Sequence, residues 1–188
     1  MYKNLKINME WNKDKKSFFI LNNDIEWYNK IGGKMKIGIA SDHRGYEVKK
    51  KLVKYLNKKN EVIDYGTDSG VIVDYVDYVE LLCKGIKKDK LDFGILICGT
   101  GIGMSIAANK IKGIMCAKID NEEDAYYAKA HNNANVISFS AKKSMLIIKD
   151  MVDKFMQTEY LDQPNYNNRI KKIQKLEKIV LKQKNKNI

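Results

Sequence analysis

In 188 residues the chain has one proline, three cysteines, two histidines and two arginines, and no apolar run near the roughly 18 residues that a membrane-spanning helix needs. Sparse proline without a glycine period excludes a collagen-like chain. The cysteines, Cys83, Cys98 and Cys116, are odd in number and lack C-x-x-C spacing, so neither a disulfide framework nor a zinc site is expected. The N-terminus has no apolar segment followed by a small-residue cleavage site, and the expected location is the cytoplasm.

What is abundant is lysine, and the net charge of +12 first suggests nucleic acid. The charge is spread unevenly. Residues 1–34 hold seven lysines against four acids, residues 165–188 hold eight Lys and Arg against one acid, and the middle is nearly balanced at 20 against 18. Of the 35 basic residues 33 are lysine, with Arg44 and Arg169 the exceptions, a bias that accompanies abundant Asn and Ile and resembles AT-rich coding. The basic tail has little aromatic interleaving for base stacking and matches no nucleic-acid reading module, so no nucleic-acid partner is expected, and no membrane partner either.

Residues 1–34 carry both tryptophans, Trp11 and Trp27, without a sustained apolar period, and end in Gly32-Gly33 directly before Met35. The expectation is that regular structure begins after Met35. On this reading Met35 is the native start, since a purine-rich ribosome-binding stretch can encode the codons before it, and residues 1–34 are a mobile extension. Residues 35–164 form the α/β domain, and residues 165–188 form a basic C-terminal helix.

From Met35 short β-rich runs alternate with amphipathic segments, the pattern of a three-layer α/β/α sandwich around a five-stranded parallel, Rossmann-like sheet. Strands are predicted at Lys36–Ala40, Glu61–Asp64, Phe93–Cys98, Ile114–Ile119 and Asn135–Phe139. Helices are predicted at Gly45–Lys59, Tyr75–Lys88, Gly103–Lys110, Glu122–His131 and Lys142–Tyr160, with a last one from Tyr166 to about Lys182, after Pro164.

Such sheets bind ligands beyond the carboxyl ends of their strands. Three polar segments are candidates for sheet-edge loops: Ser41-Asp42-His43-Arg44-Gly45 after the first strand, Cys98-Gly99-Thr100-Gly101-Ile102-Gly103 after the third, and Ala130-His131-Asn132-Asn133 at the end of the fourth helix. Both histidines of the chain lie in this set. A cysteine closing an apolar strand is ordinarily a small buried hydrophobe. Here three alternating glycines follow Cys98, baring successive backbone N–H groups as an anion nest that would stabilise a thiolate at its mouth. A dinucleotide fingerprint is disfavoured, because the spacing is G-x-G-x-G and the loop follows the third strand. Cys83, within a helix, and Cys116, within a strand, read as core.

The run Ile97 to Lys110, with Ser41–Gly45 before it and His131-Asn132-Asn133-Ala134-Asn135 after it, resembles the type B ribose-5-phosphate isomerase family, which includes galactose-6-phosphate isomerase subunits. The resemblance spans roughly Met35 to Lys175. It implies an aldose–ketose isomerase working through a cis-enediolate without metal or organic cofactor, as a homodimer or tetramer with sites at the subunit interface. It implies Cys98 as the base, Thr100 as a substrate contact that assists proton movement between oxygens, and His131 as the group that opens the furanose ring. Asp42 and Asn132 would hold sugar hydroxyls, Tyr75 would line the site, and Gly99, Gly101, Ile102 and Gly103 would offer N–H donors. Arg169 and His43 would meet the phosphate.

Three departures from the family pattern stand out. Val76 occupies a usual proline, Asn165 falls where the first of two arginines is expected, and Ser138–Ser144 replaces a glycine-rich segment. Lys142, Lys143 or Arg44 are the cations available to compensate. Galactose and allose 6-phosphate are the alternative substrates, and a phosphosugar-binding protein without turnover is the alternative from another class.

Overall fold

The computed structural model describes Met9–Asn12, Ser17–Ile20 and residues 34–184, with side chains described from 34 to 177 in the second stretch. The chain divides into two units, Met1–Lys34 and Met35–Ile188. In the first, β1 (Met9–Asn12) pairs antiparallel with β2 (Ser17–Ile20), placing Trp11 opposite Phe18. This corrects the expectation that regular structure starts after Met35. These two short strands pair with each other and lack the strand–helix alternation by which the equally short Glu61–Asp64 is predicted. Trp27 and the expected mobility of the extension lie outside the described residues.

The second unit alternates strand and helix throughout: β3 (Lys36–Ser41), α1 (Tyr46–Leu56), β4 (Glu61–Asp64), α2 (Tyr75–Lys88), β5 (Phe93–Cys98), α3 (Ile102–Ala108), β6 (Cys116–Lys118), α4 (Glu122–Ala130), β7 (Val136–Ser140), α5 (Met145–Gln157) and α6 (Pro164–Lys184). The five strands are parallel in the order β4-β3-β5-β7-β6, so β5 is central and buried on both faces. Its side chains alternate between two cores, as a period of two requires. Phe93, Ile95 and Ile97 pack with Leu52, Ala125, Ile148 and Phe155 beneath α1, α4 and α5. Leu96 and Cys98 face the other way, with Leu82, Cys83, Met104 and Ala108 beneath α2 and α3. The thiol of Cys98 thus ends a core strand on the α2/α3 side.

Helix starts follow their caps. The side chains of Asp74, Asn121 and Ser144 accept from the amides of Val76, Asp124 and Ile147. The Ser144 cap starts α5 three residues after the predicted Lys142. Strand β6 is shorter than predicted, since the Ile114 amide bonds back to the Ile111 carbonyl and the Met115 amide to the Asn135 side chain at 2.8 Å, taking both from the ladder.

Candidate active site

At the carboxyl edge of the sheet β3 and β5 lie side by side, with Ser41 paired to Ile97. The next amide, Asp42 N–H, donates to the Ile97 carbonyl at 3.2 Å, and the Asp42 carboxylate accepts the Gly45 N–H at 2.9 Å. Gly45 lies so close to β5 that a Cβ there would stand 2.4 Å from the Ile97 oxygen. The loop is therefore pinned against the strand bearing Cys98, and Asp42 is only 6% exposed. His43 is anchored from outside the loop by the Val73 N–H, which donates to its Nδ1 at 3.4 Å.

The glycine loop curls over the thiol. Gly101 N–H donates to Cys98 Sγ at 3.1 Å, and Ile102 N–H donates to the Thr100 hydroxyl at 3.3 Å. Gly101 has φ of +78°, and a Cβ on it would lie 2.8 Å from the Phe139 backbone, so only glycine fits there. The Ser138 hydroxyl donates to the Gly101 carbonyl at 2.6 Å and the Ser140 hydroxyl to the Gly99 carbonyl at 2.9 Å. Two neighbours crowd the loop. The Arg44 side chain lies against Gly99 and the Tyr75 ring against Gly103, each leaving about 2.9 Å for a Cβ. The structure thus brings Asp42, His43, Tyr75, Cys98, Gly99, Thr100, Gly101, Ile102 and Gly103 to one edge.

The other cysteines are different. Cys83 and Cys116 are buried in the α2/α3 core, and desolvation pushes each thiol up to about 12, with a Ser105 hydrogen bond acting against the shift at Cys116. Both remain protonated near neutral pH.

His131, Asn132 and Arg169 form a second group elsewhere. Helix α4 leaves the carboxyl edge and runs back along the sheet, so its C-terminal residue His131 emerges at the opposite edge, and grouping it with the carboxyl-edge loops is corrected. Asn132 lines a groove of about 950 Å³ together with Asp92, which immediately precedes β5. Cys98 is six residue steps along β5 from Asp92 at that edge, about 20 Å at roughly 3.3 Å per residue. The Asn132 side chain donates to the Tyr127 carbonyl at 2.9 Å. The His131 ring stacks on Tyr166 at 4.4 Å and 15°, its Nε2 stands 3.0 Å from the Tyr166 hydroxyl, and Arg169 Cζ lies 5.9 Å from the Tyr166 ring centre.

Sequence reasoning missed Tyr166, Ser138 and Ser140. The serines share one face of β7 at i and i+2, a signal that was present, whereas the Tyr166 contact joins residues 35 apart. Among the described residues no cluster of His, Cys, Asp or Glu could hold a metal ion, and no helix is long and apolar enough to cross a membrane.

The sequence profile of the Ribose/Galactose Isomerase family matches residues 37–173. A Listeria innocua protein named ribose-5-P isomerase B is 43% identical over 108 residues, 57% of this chain and 73% of that protein. The Clostridium thermocellum ribose-5-phosphate isomerase B structure matches with a TM-score of 0.75 and 38% identity, covering 78% of this chain and 99% of its own. The Mycoplasma genitalium ribose-5-phosphate isomerase B, solved with bound ribulose-5-phosphate, matches with a TM-score of 0.72, covering 78% of this chain and 98% of its own. A thiol under a glycine loop, on a five-stranded parallel sheet that these structures share, places the chain in the ribose/galactose isomerase family.

Proposed function

We propose that the chain interconverts ribose 5-phosphate and ribulose 5-phosphate, within pentose phosphate metabolism in the cytoplasm, as a homodimer whose sites are each completed by the partner subunit. The chain is a sugar-phosphate isomerase of the aldose–ketose class. The observation that carries the dimeric reading is the separation of Cys98 from His131 by the length of β5. One chain cannot bring both to the same sugar carbon. A two-fold pair of chains can set the carboxyl edge of one sheet against the opposite edge of the other, giving two equivalent sites. Exposed apolar side chains beside the Cys98 loop, Val76, Leu81, Ile102 and Ile106, each about half accessible, supply a surface for such pairing.

In each site the Cys98 thiolate takes the C2 proton of the aldose and returns it to C1. The intervening enediolate carries its charge on oxygen, where preorganised N–H donors of the glycine loop stabilise it. Thr100 moves a proton between the two oxygens, and Tyr75 lines the site. Asp42 and Asn132 of the partner subunit hold hydroxyls, while His43 and Arg169 of the partner subunit meet the phosphate. The furanose ring is opened by His131 of the partner subunit, whose imidazole has one nitrogen to accept a proton and one to donate. Every role is filled by protein groups, so the reading assigns no metal or organic cofactor. The roles fall within residues 35–169, and a chain begun at Met35 is expected to turn over like the full chain.

Complementation tests the reading. Cys98→Ala and His131→Ala are each expected to be inactive alone. Co-expressed, they should recover about a quarter of wild-type activity, because random pairing makes half the dimers mixed and each mixed dimer has one intact site. No recovery would mean that the site lies within one chain. Assays on ribose, galactose and allose phosphates decide the substrate, and absence of turnover on all of them would leave the phosphosugar-binding alternative.

A further inference from the structure

Residues 65–74 join β4 to α2 at the carboxyl edge of the sheet, and at their tip Val71 and Ile72 are 69% and 82% exposed. The loop is braced from within. Thr67 is buried, its N–H donates to the Ser41 carbonyl at 3.3 Å, and its hydroxyl donates to the Ser69 carbonyl at 3.1 Å. The Val71 N–H donates to the Ser69 hydroxyl at 3.4 Å, and beyond the tip the Val73 N–H is tied to His43. An apolar pair held in water by a braced loop loses little further freedom when a partner covers it.

The groove of about 950 Å³ lies at the opposite edge, lined by Ile170, Ile173 and Leu176 of α6 and by Ile114 and Met115 ahead of β6. Ile173 and Leu176 are 47% and 63% exposed, so the helix leaves apolar surface uncovered. Three lysines, Lys110, Lys112 and Lys129, also line it, and none is in an ion pair among the described residues. Its two acids are taken by backbone N–H groups, Asp92 by Lys36 and Glu177 by Gly113, each at 2.6 Å. The groove is therefore apolar with cations at hand, and the loop is apolar with two acids, Asp68 and Asp74, and no base. Tip and groove are complementary in both respects. They stand at opposite edges of one sheet, so only a second copy brings them together.

In the proposed shared site His43 and Arg169 of the partner subunit meet one phosphate, and two groups hydrogen-bonded to one phosphate stand no more than about 8 Å apart. His43 is bonded to Val73, the neighbour of Ile72, and Arg169 is the neighbour of Ile170 in the groove. We infer that Val71 and Ile72 of each subunit seat in the α6 groove of its partner, so that a second copy of this chain is what the groove receives. This contact rests on the proposed shared site and adds to it, because it holds the helix that carries Arg169 against the phosphate.

Cross-linking tests the contact in the full-length protein. A chain carrying both Ile72→Cys and Ile173→Cys, treated with a short bismaleimide, should give a covalent dimer on a denaturing gel. Neither single variant should, since the native cysteines are buried. No covalent dimer from the pair, or as much from either single variant, would overturn the inference. A second measurement uses Val71→Ser with Ile72→Ser, which alters exposed side chains only. The dimer dissociation constant, read by sedimentation, should rise about tenfold or more. Leu146→Ser on α5, where the leucine is 70% exposed, should stay within about twofold of wild type. Equal effects at the two places would also overturn it.

Both measurements are made without substrate. If Cys98→Ala and His131→Ala recovered activity together while the cysteine pair failed to cross-link, the shared site would stand and only the seating of the tip would fall. A wild-type protein that sediments as a monomer would remove both.

Discussion

The backbone N–H of Gly101 donates to the Cys98 sulfur at 3.1 Å, so the glycine loop and the thiol are one unit rather than neighbours. That bond separates Cys98 from the two other thiols of the chain, which face apolar side chains, each other and one hydroxyl.

Cys98→Ala should therefore lower kcat by about a thousandfold or more while sugar-phosphate binding persists. Cys83→Ala and Cys116→Ala should keep wild-type kcat, each at a cost of about 1 kcal/mol in stability. Steady-state kinetics and calorimetric titration with ribose 5-phosphate on the three variants check this. Near-wild-type turnover by Cys98→Ala would remove it as the base.

Gly101 and Gly113 offer a matched comparison, with φ of +78° and +82°. A Cβ at Gly113 would meet nothing within 4 Å, whereas at Gly101 it would strike the Phe139 backbone. Gly113→Ala should cost about 1 kcal/mol from backbone strain alone. Gly101→Ala should cost about 2–4 kcal/mol and most of the activity, since the loop must lift off β7 to make room. Urea midpoints measured side by side would expose equal losses, the outcome inconsistent with the contact at Phe139.

Lys49 is buried to 2% exposure and pairs with Asp64, whose carboxylate is 40% exposed and also accepts the Gly66 N–H. Asp64→Ala strands a buried ammonium and should destabilise by about 2–4 kcal/mol, whereas Lys49→Met should stay within about 1 kcal/mol of wild type. Chemical denaturation gives both values. The reverse order would show that the lysine stem, not the charge, is what the core requires.

Arg169→Ala should raise KM for ribose 5-phosphate by about tenfold with a smaller change in kcat, as loss of a phosphate contact predicts. Asn165→Arg should lower KM for the same substrate. If Asn165→Arg instead weakens every five- and six-carbon phosphate tested, asparagine suits a different natural substrate.

Much of the fold was legible because local signals agreed with the tertiary arrangement. Helix α2 runs Tyr75–Lys88 as predicted, with Asp74 as a cap and apolar Val79, Leu82 and Cys83 on one face. Strand β5 was equally clear from its unbroken apolar run. What escaped depends on contacts between distant residues. The Asn135 side chain shortens β6 by claiming the Met115 amide, and neither residue reveals this in its own neighbourhood. The Cys98 loop could be read because its parts are contiguous. The position of His131 was misread although the up-and-down course of a strand–helix alternation carries a helix end to the opposite edge.

The hydroxyls of Ser138 and Ser140 bear on the direction in which the loop donors point. A trans peptide directs its C=O and its N–H to opposite sides. By drawing the Gly99 and Gly101 carbonyls toward β7, the two serines turn the N–H groups of Thr100 and Ile102 away from the sheet, where the Ile102 N–H meets the Thr100 hydroxyl. Two of the loop's acceptors are thus held inward, a polarity imposed from beneath by a strand that carries none of the proposed substrate-binding residues. Loss of either hydroxyl frees a peptide plane to rotate, and a rotated plane would present oxygen to an anion.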